Sequence, residues 1–138
     1  MKAQVGMEFI VVFILALLIF VFLQIMVFRT SSSFNDQLVS NSAVKLTEDV
    51  QLLINYAGHS GGVNAEFILP NFLANGVNYT FYVVNTSVYT SWNGLSGAQS
   101  AVRQLSAFNV TNSTGSTSFI LLPGKHFVRK TNEGVRVT

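Results

Sequence analysis

The chain of 138 residues contains no cysteine, which excludes a disulfide framework and a thiolate metal site. Charged residues are also scarce, at 10% of the sequence, and the formal net charge is only +2. Nucleic-acid binding usually needs a strongly basic surface, so this balance gives it little support. The sequence also lacks a nucleotide-binding glycine motif, a metalloprotease motif and a nucleophile elbow. We therefore expect no enzymatic activity, no cofactor, no bound metal and no nucleic-acid partner.

Apolar residues make up 49% of the chain, and the excess is concentrated in residues 9–28. This segment reads FIVVFILALLIFVFLQIMVF and contains no charged residue. As an α-helix it would be about 30 Å long, which matches the hydrocarbon core of a bilayer. A core helix in a domain of this size would need a polar face, and this segment is apolar on every side. It is therefore predicted to be a transmembrane helix.

This apolar segment is not followed by the features of an ordinary secretory signal. Such a signal has a short apolar run and then a small-residue cleavage site. Phe28, Arg29 and Thr30, which end and follow the run here, do not form such a site. We therefore expect the apolar segment to remain in the mature protein.

The most specific motif lies just ahead of the apolar run. A short basic stretch ends at Ala3, Gln4 follows it, and Glu8 stands directly before the run. This arrangement, over residues 2–28, resembles the class III signal peptide of archaeal type IV pilins. The resemblance implies that residues 1–3 are a leader, that a prepilin peptidase cuts between Ala3 and Gln4, and that Glu8 is the family's acidic residue.

The physical role of Glu8 can also be considered without the family. A carboxylate at the edge of an apolar helix is costly in hydrocarbon, so it usually has a partner or a function. Cleavage before Gln4 would create an amine one helical turn away, on the same or a neighbouring subunit. Such a charge pair could set the axial register between subunits. The alternative is that Glu8 lies at the membrane interface and interacts favourably with the helix N-terminus.

Residues 29–60 contain no proline and have the pattern of an amphipathic helix. Its apolar stripe, at alternating spacings of four and three, consists of Val39, Ala43, Leu46, Val50, Leu53 and Ala57. Gly58 and the pair Gly61-Gly62 are the expected C-terminal stops. Residues 4–28 and 29–60 together predict one long helix with an apolar half and an amphipathic half.

Residues 61–138 change to short runs rich in Val, Phe, Tyr and Thr, which predict a β-rich head domain. The predicted strands are residues 63–69, 77–84, 88–92, 118–122, 127–130 and 135–138. Asn75-Gly76 predicts a tight turn, and residues 131–134 predict a hairpin connection. Residues 94–106 are ambiguous, and we expect a loop with a short helix around residues 101–105. The whole pattern predicts an α+β fold, a long N-terminal helix followed by a small antiparallel β-sheet head, and the pilin resemblance implies the same architecture.

The head contains four Asn-x-Ser/Thr sequons, which begin at Asn78, Asn85, Asn109 and Asn112. Such tripeptides mark candidate N-glycosylation sites on exposed backbone. A sequence rich in Asn, Ser and Thr also produces them by chance. Asn109 and Asn112 are the preferred candidates, because they lie in a polar stretch that is expected to be a loop.

Two further groups of polar residues need an interpretation. His59 and His126 are far apart in the sequence, and we expect each to be an isolated loop residue rather than part of a site. The basic C-terminal residues are Lys125, Arg129, Lys130 and Arg136, opposed in this stretch by Glu133. This cluster is either a surface for anionic partners and sugars or an ordinary solvated face.

These observations lead to hypotheses from two classes of function. In the first, the protein is a structural subunit that inserts in the cytoplasmic membrane and then polymerises through residues 5–28 into an adhesive filament on the cell surface. Its partners would be copies of itself, a prepilin peptidase, a pilus assembly platform, and cell or abiotic surfaces. An archaellin, a minor pilin or a pseudopilin is a related alternative. In the second class, the protein is an uncleaved single-span membrane protein that presents a binding head.

Overall fold

The computed structural model describes residues 2–60, 64–84, 86–95, 97–106 and 109–138, and only the backbone of residues 2–5. A long helix, α1 (Lys2–His59), precedes the strands of the head. The strands are β1 (Asn64–Leu69), β2 (Tyr79–Val84), β3 (Ser87–Gly94), β4 (Gly97–Gln104), β5 (Val110–Thr111), β6 (Ser118–Leu121), β7 (Gly124–Thr131) and β8 (Gly134–Val137). The α+β class, with a long N-terminal helix followed by antiparallel β-structure, is confirmed. The chain divides into two compact units, Met1–Asn35 and Asp36–Thr138.

The first unit consists of the N-terminal part of α1. Hydroxyl groups near its end bond to the carbonyl groups of their own helix. Thr30 Oγ1 donates to the carbonyl oxygen of Met26 at 3.0 Å, and Ser32 Oγ donates to that of Arg29 at 2.9 Å. These local bonds satisfy the hydroxyl groups without interrupting the helix, although side chains of this kind often compete with helical hydrogen bonds.

The strands of the second unit form two four-stranded sheets. The first sheet has the order β1-β7-β8-β5, and the second has the order β4-β3-β2-β6. Neighbouring strands are antiparallel except for the short parallel pair of β5 and β8. Along β1 exposed and buried residues alternate strictly, as expected for a sheet with one face on a core.

The main core of the second unit lies where both sheets meet one face of α1. Val50, Ile54 and Ala57 supply the helix side of this core, and Phe81 of β2 is fully buried against them. The predicted stripe on α1 is buried or half-buried along its length, but it is incomplete, because Thr47 and Ile54 are also fully buried. A smaller cluster consists of Val39, Ala43, Leu73, Trp92 and Ala101.

The six strands that the sequence predicts correspond to β1, β2, β3, β6, β7 and β8, with ends that differ by up to three residues. The short helix expected around residues 101–105 is wrong, because residues 97–104 form β4 and pair with β3 over its whole length. The sequence of β4, GAQSAVRQ, has weak strand propensity. Its conformation is stabilised by the backbone ladder that β3 offers, and a local sequence pattern does not report such a ladder.

The predicted turns agree with the structure. Asn75 and Gly76 have φ angles of 58° and 72°, so both occupy the left-handed region that the Asn-Gly pair favours. Thr131 pairs with Gly134 across the connection between β7 and β8. Gly58 is not a helix stop, because α1 continues to His59, and the Gly61-Gly62 pair lies outside the described residues.

Candidate assembly surface and sites on the head

The apolar surface of α1 extends around the helix from residue 7 to residue 28. Its large apolar side chains are between 45% and 75% exposed in the single chain. Phe9 and Phe13, one helical turn apart, stack with their ring centroids 6.5 Å apart. Among the described residues, the part of α1 from Gly6 to His59 contains a stretch that is long and apolar enough to cross a membrane. An exposed apolar surface of this size marks a region that meets lipid or other protein chains.

Glu8 interrupts this surface near its beginning. Its side chain is exposed, and it forms no ion pair with another residue that the structure describes. The predicted processing residues Ala3 and Gln4 lie within the bounds of α1, but their side chains are outside the description. The structure therefore places an acidic residue beside a surface that is otherwise apolar except for Gln24, and the expected pairing of Glu8 with Gln4 stays a prediction.

Within the second unit, α1 has a face that points away from its own core. Leu38, Leu52 and Tyr56 lie on this face and are 38%, 60% and 59% exposed. At 100° per residue, Leu52 and Tyr56 lie on nearly the same side of the helix as Leu38. The buried residues Val50 and Ile54 lie on the opposite side. The amphipathic half of α1 therefore has apolar side chains on both faces, and only one of them is covered by the head.

A row of polar side chains on α1 binds the head, and sequence analysis missed it. Asp36 Oδ1 accepts a hydrogen bond from the backbone N–H of Leu95 at 3.0 Å, and Asn55 Oδ1 accepts one from Ser106 at 2.9 Å. The side-chain nitrogen of Gln51 donates to a backbone oxygen of the head at 2.5 Å. In the sequence these residues appear only as polar positions beside the apolar stripe, a pattern that also occurs on solvated helices. These bonds hold the strand ends of the head against the helix.

The sequons differ in how the structure holds their asparagines. Asn78 and Asn109 are exposed, whereas Asn85 lies outside the described residues. Asn112 is half-buried, and its Oδ1 accepts hydrogen bonds from the N–H of Thr114, the hydroxyl of Thr114 and the N–H of Ser116, at 3.0, 2.7 and 2.8 Å. Asn112 thus organises its own loop as an Asx-turn, and the sequon is part of that turn.

The two histidines lie at the end of α1 (His59) and within β7 (His126), so the expectation that both are loop residues is wrong. The ring of His59 contacts the carbonyl oxygen of Asn55 at 2.7 Å, and that of His126 contacts the carbonyl oxygen of Leu122 at 2.8 Å. No cluster of three potential metal ligands occurs among the described residues. Tyr79 donates a hydrogen bond from its hydroxyl to the carbonyl oxygen of Pro70 at 2.5 Å, and burial raises its pKa to about 12.

Three of the four basic C-terminal residues, Lys125, Arg129 and Arg136, lie on the outer face of the first sheet. Arg129 of β7 and Arg136 of β8 are direct cross-strand neighbours, and both are exposed. Lys125 is paired with Glu66 at 2.8 Å, and its Nζ lies 5.4 Å from the ring centroid of Phe127. Glu66 is an acidic neighbour that the linear sequence did not indicate, because β1 is far from β7 along the chain. Beside the two arginines lies a groove of ≈ 740 Å³.

Comparison with known proteins found no matching family model, no matching curated protein and no matching solved structure.

Proposed function

We propose that this protein is a structural subunit of an archaeal type IV pilus, which polymerises through its N-terminal helix into an adhesive filament on the cell surface. The observation that carries the proposal is the apolar surface of residues 7–28, exposed in the single chain and interrupted at its start by Glu8. A membrane can cover this surface before assembly. Neighbouring helices can cover it in a filament, where apolar packing would drive association.

Glu8 would set the axial register between associated subunits. A carboxylate is expensive in an apolar bundle unless an opposite charge satisfies it. If a peptidase cuts between Ala3 and Gln4, the new amine at Gln4 is one turn from Glu8 and can pair with the Glu8 of a neighbouring subunit. An apolar surface alone allows many axial registers, whereas one charge pair per subunit selects among them.

The second unit supports a subunit role in two ways. Its core is formed by its own helix and two sheets, so the head can fold without the filament. The face with Leu38, Leu52 and Tyr56 remains exposed on the far side of α1, where it is available to a neighbouring subunit. Glycans attached at the four candidate sites in the head would coat the outside of such a fibre.

A second candidate is an uncleaved single-span anchor that presents a binding head, and the self-contained core favours it equally. Mass spectrometry of the native protein separates the two functions. A mature N-terminus at Gln4, together with filaments seen by negative-stain microscopy of expressing cells, is the expected result. An intact Met1 on membrane-bound protein without filaments would contradict the pilin proposal and favour the single-span anchor.

A further inference from the structure

The outer face of the first sheet contains a pair of like charges that packing does not explain. Arg129 and Arg136 are directly opposite each other in the ladder of β7 and β8. Phe127 and Thr138 exchange both backbone hydrogen bonds, at 2.8 and 2.9 Å. Hydrogen-bonded and non-hydrogen-bonded pairs alternate along an antiparallel ladder. The arginine pair is two positions from the pair of Phe127 and Thr138, so it is also hydrogen-bonded, with a Cα separation of about 5.5 Å. Like charges directly opposite each other destabilise a sheet.

The neighbouring side chains that the structure describes do not neutralise the pair. Arg129 has Asn64 as its other cross-strand neighbour, and Arg136 has Thr111. The acidic side chain nearest in register, Glu66, is already paired with Lys125. The two guanidinium groups therefore remain available for an anion from outside the chain.

The surroundings of the pair fit a sugar that carries acidic groups. A guanidinium group binds a carboxylate or a sulfate through two parallel hydrogen bonds. Phe127 lies two residues from Arg129 on the same face and is 44% exposed, so its ring offers an apolar surface to the C–H groups of a sugar. Asn64 and Thr138 line the groove with polar groups that can bond to hydroxyls.

We propose that this surface, formed by Phe127, Arg129 and Arg136 and called the basic sheet face, binds acidic polysaccharides. A polymer is required because exposed arginines hold a single anion weakly in salt. A chain with an acidic group on successive sugars offers many such anions, and attachment at one raises the local concentration of the next. Single-stranded nucleic acid fits less well. Proteins that bind it stack successive bases on several aromatic rings, and Phe127 is the one aromatic residue among the described residues that line the groove.

The inference rests on the proposed function only in that a head outside the cell would meet such polymers. Binding can therefore be measured without assembly, on the full chain in a nonionic detergent. The probe is immobilised polygalacturonate, with dextran sulfate as a second acidic polymer and neutral dextran as the reference. We expect both acidic polymers to bind, dextran not to bind, and the affinity to fall as salt is raised.

The variant Arg129→Gln/Arg136→Gln should lower the affinity about tenfold or more, because two charged hydrogen-bond donors are lost. The matched control, Lys45→Gln/Arg103→Gln, removes the same charge from elsewhere in the second unit and should stay within about twofold of the unmodified chain. The variant Arg129→Lys/Arg136→Lys keeps the charge but loses the planar donors, and we expect it to bind with intermediate affinity. Trp92, which is 4% exposed, reports by fluorescence whether each variant is folded.

Three outcomes would overturn the inference. In the first, polygalacturonate binds no better than dextran. In the second, both glutamine variants lose affinity equally, which would indicate only general attraction to the positive chain. In the third, a thymidine oligonucleotide binds more tightly than the acidic polymers and through the same arginines. Filaments that assemble normally from Arg129→Gln/Arg136→Gln would leave the proposed function intact whichever result is found.

Discussion

The hydroxyl oxygens of Thr47 and Thr90 lie 2.7 Å apart, and both side chains are fully buried where α1 meets β3. Thr47 Oγ1 also lies 2.7 Å from the carbonyl oxygen of Ala43, to which it donates. Because one hydroxyl has one hydrogen, Thr90 must be the donor in the bond between the two threonines. This bond fixes which turn of the helix stands opposite β3.

We expect Thr47→Val to lower the free energy of unfolding by about 1–3 kcal/mol, because the buried Thr90 hydroxyl loses its acceptor. The double variant Thr47→Val/Thr90→Val should cost less than the sum of the two single variants, since it leaves no hydroxyl unsatisfied. Denaturant unfolding followed by the fluorescence of Trp92 measures the free energy of unfolding of Thr47→Val, Thr90→Val and the double variant. Additive effects of the two substitutions would show that the bond does not couple the helix to the sheet.

Gly134 stands where β8 approaches Asn109, the residue before β5. Its φ is 145°, and a Cβ at this position would overlap the carbonyl oxygen of Asn109. We expect Gly134→Ala to destabilise the head by roughly 1–3 kcal/mol or more, through the clash and the backbone strain together. The same unfolding experiment measures the loss.

Gly115→Ala is the matched control for this substitution. Gly115 also has a positive φ, 83°, but a Cβ added there would have nothing within 4 Å of it. We expect Gly115→Ala to lower the free energy of unfolding by about 1–2 kcal/mol, through the strain of the left-handed conformation alone. Equal losses at the two glycines would mean that β8 can move away from Asn109 at little cost.

Tyr79 makes the stability of the head depend on pH in the alkaline range. Its pKa rises from 10.0 to about 12 in the folded chain because burial disfavours the phenolate. The folded state therefore holds the proton more tightly than the unfolded state does. The stabilisation is complete below pH 10.0 and is lost as the pH rises towards about 12.

The melting temperature should accordingly fall more steeply between pH 10 and 12 in the unmodified chain than in Tyr79→Phe. The phenylalanine variant should also melt lower at neutral pH, because it lacks the hydrogen bond to Pro70. The comparison between the two chains removes every contribution to the pH profile that they share. Parallel pH profiles would contradict a role for the Tyr79 hydroxyl.

Glu8→Gln tests the charge that the filament proposal places in an apolar bundle. We expect this variant to fold its head normally but to lose most of its filaments, because the register-setting pair cannot form. Glu133→Gln, at an exposed position in the hairpin between β7 and β8, is the matched control and should assemble normally. Filament yield by negative-stain microscopy, compared at equal protein levels, gives the answer. Normal filaments from Glu8→Gln would remove the role assigned to the carboxylate.

Asn112 combines a candidate glycosylation site with a structural one. Asn112→Asp keeps the oxygen that accepts three hydrogen bonds but removes the nitrogen to which a glycan attaches. We expect it to lose any glycan at this site, with little change in melting temperature. Asn112→Ala should lose both the glycan and about 1 kcal/mol of stability. Glycopeptide mass spectrometry and thermal melts measure the two effects, and an unmodified Asn112 in the native protein would contradict the expected glycosylation.

The sequence predicted those elements whose residues carry their own signal. Asn75-Gly76 favours left-handed backbone wherever it occurs, and the stripe from Val39 to Ala57 requires a partner on one side of a helix. β4 carried no such signal, because its ladder depends on β3. The threonine pair was equally hidden, since Thr47 and Thr90 are 43 residues apart.

For the candidate sites, the same distinction holds. The apolar run of residues 9–28 and the position of Glu8 before it are properties of the sequence alone, because hydrocarbon solubility depends on composition and helical length. Arg129 stands opposite Arg136, and Glu66 forms an ion pair with Lys125. Both arrangements arise only when β1, β7 and β8 pair in their observed register. Backbone hydrogen bonding brings together residues that are distant in the chain, and only the folded sheet decides which charges remain without a partner.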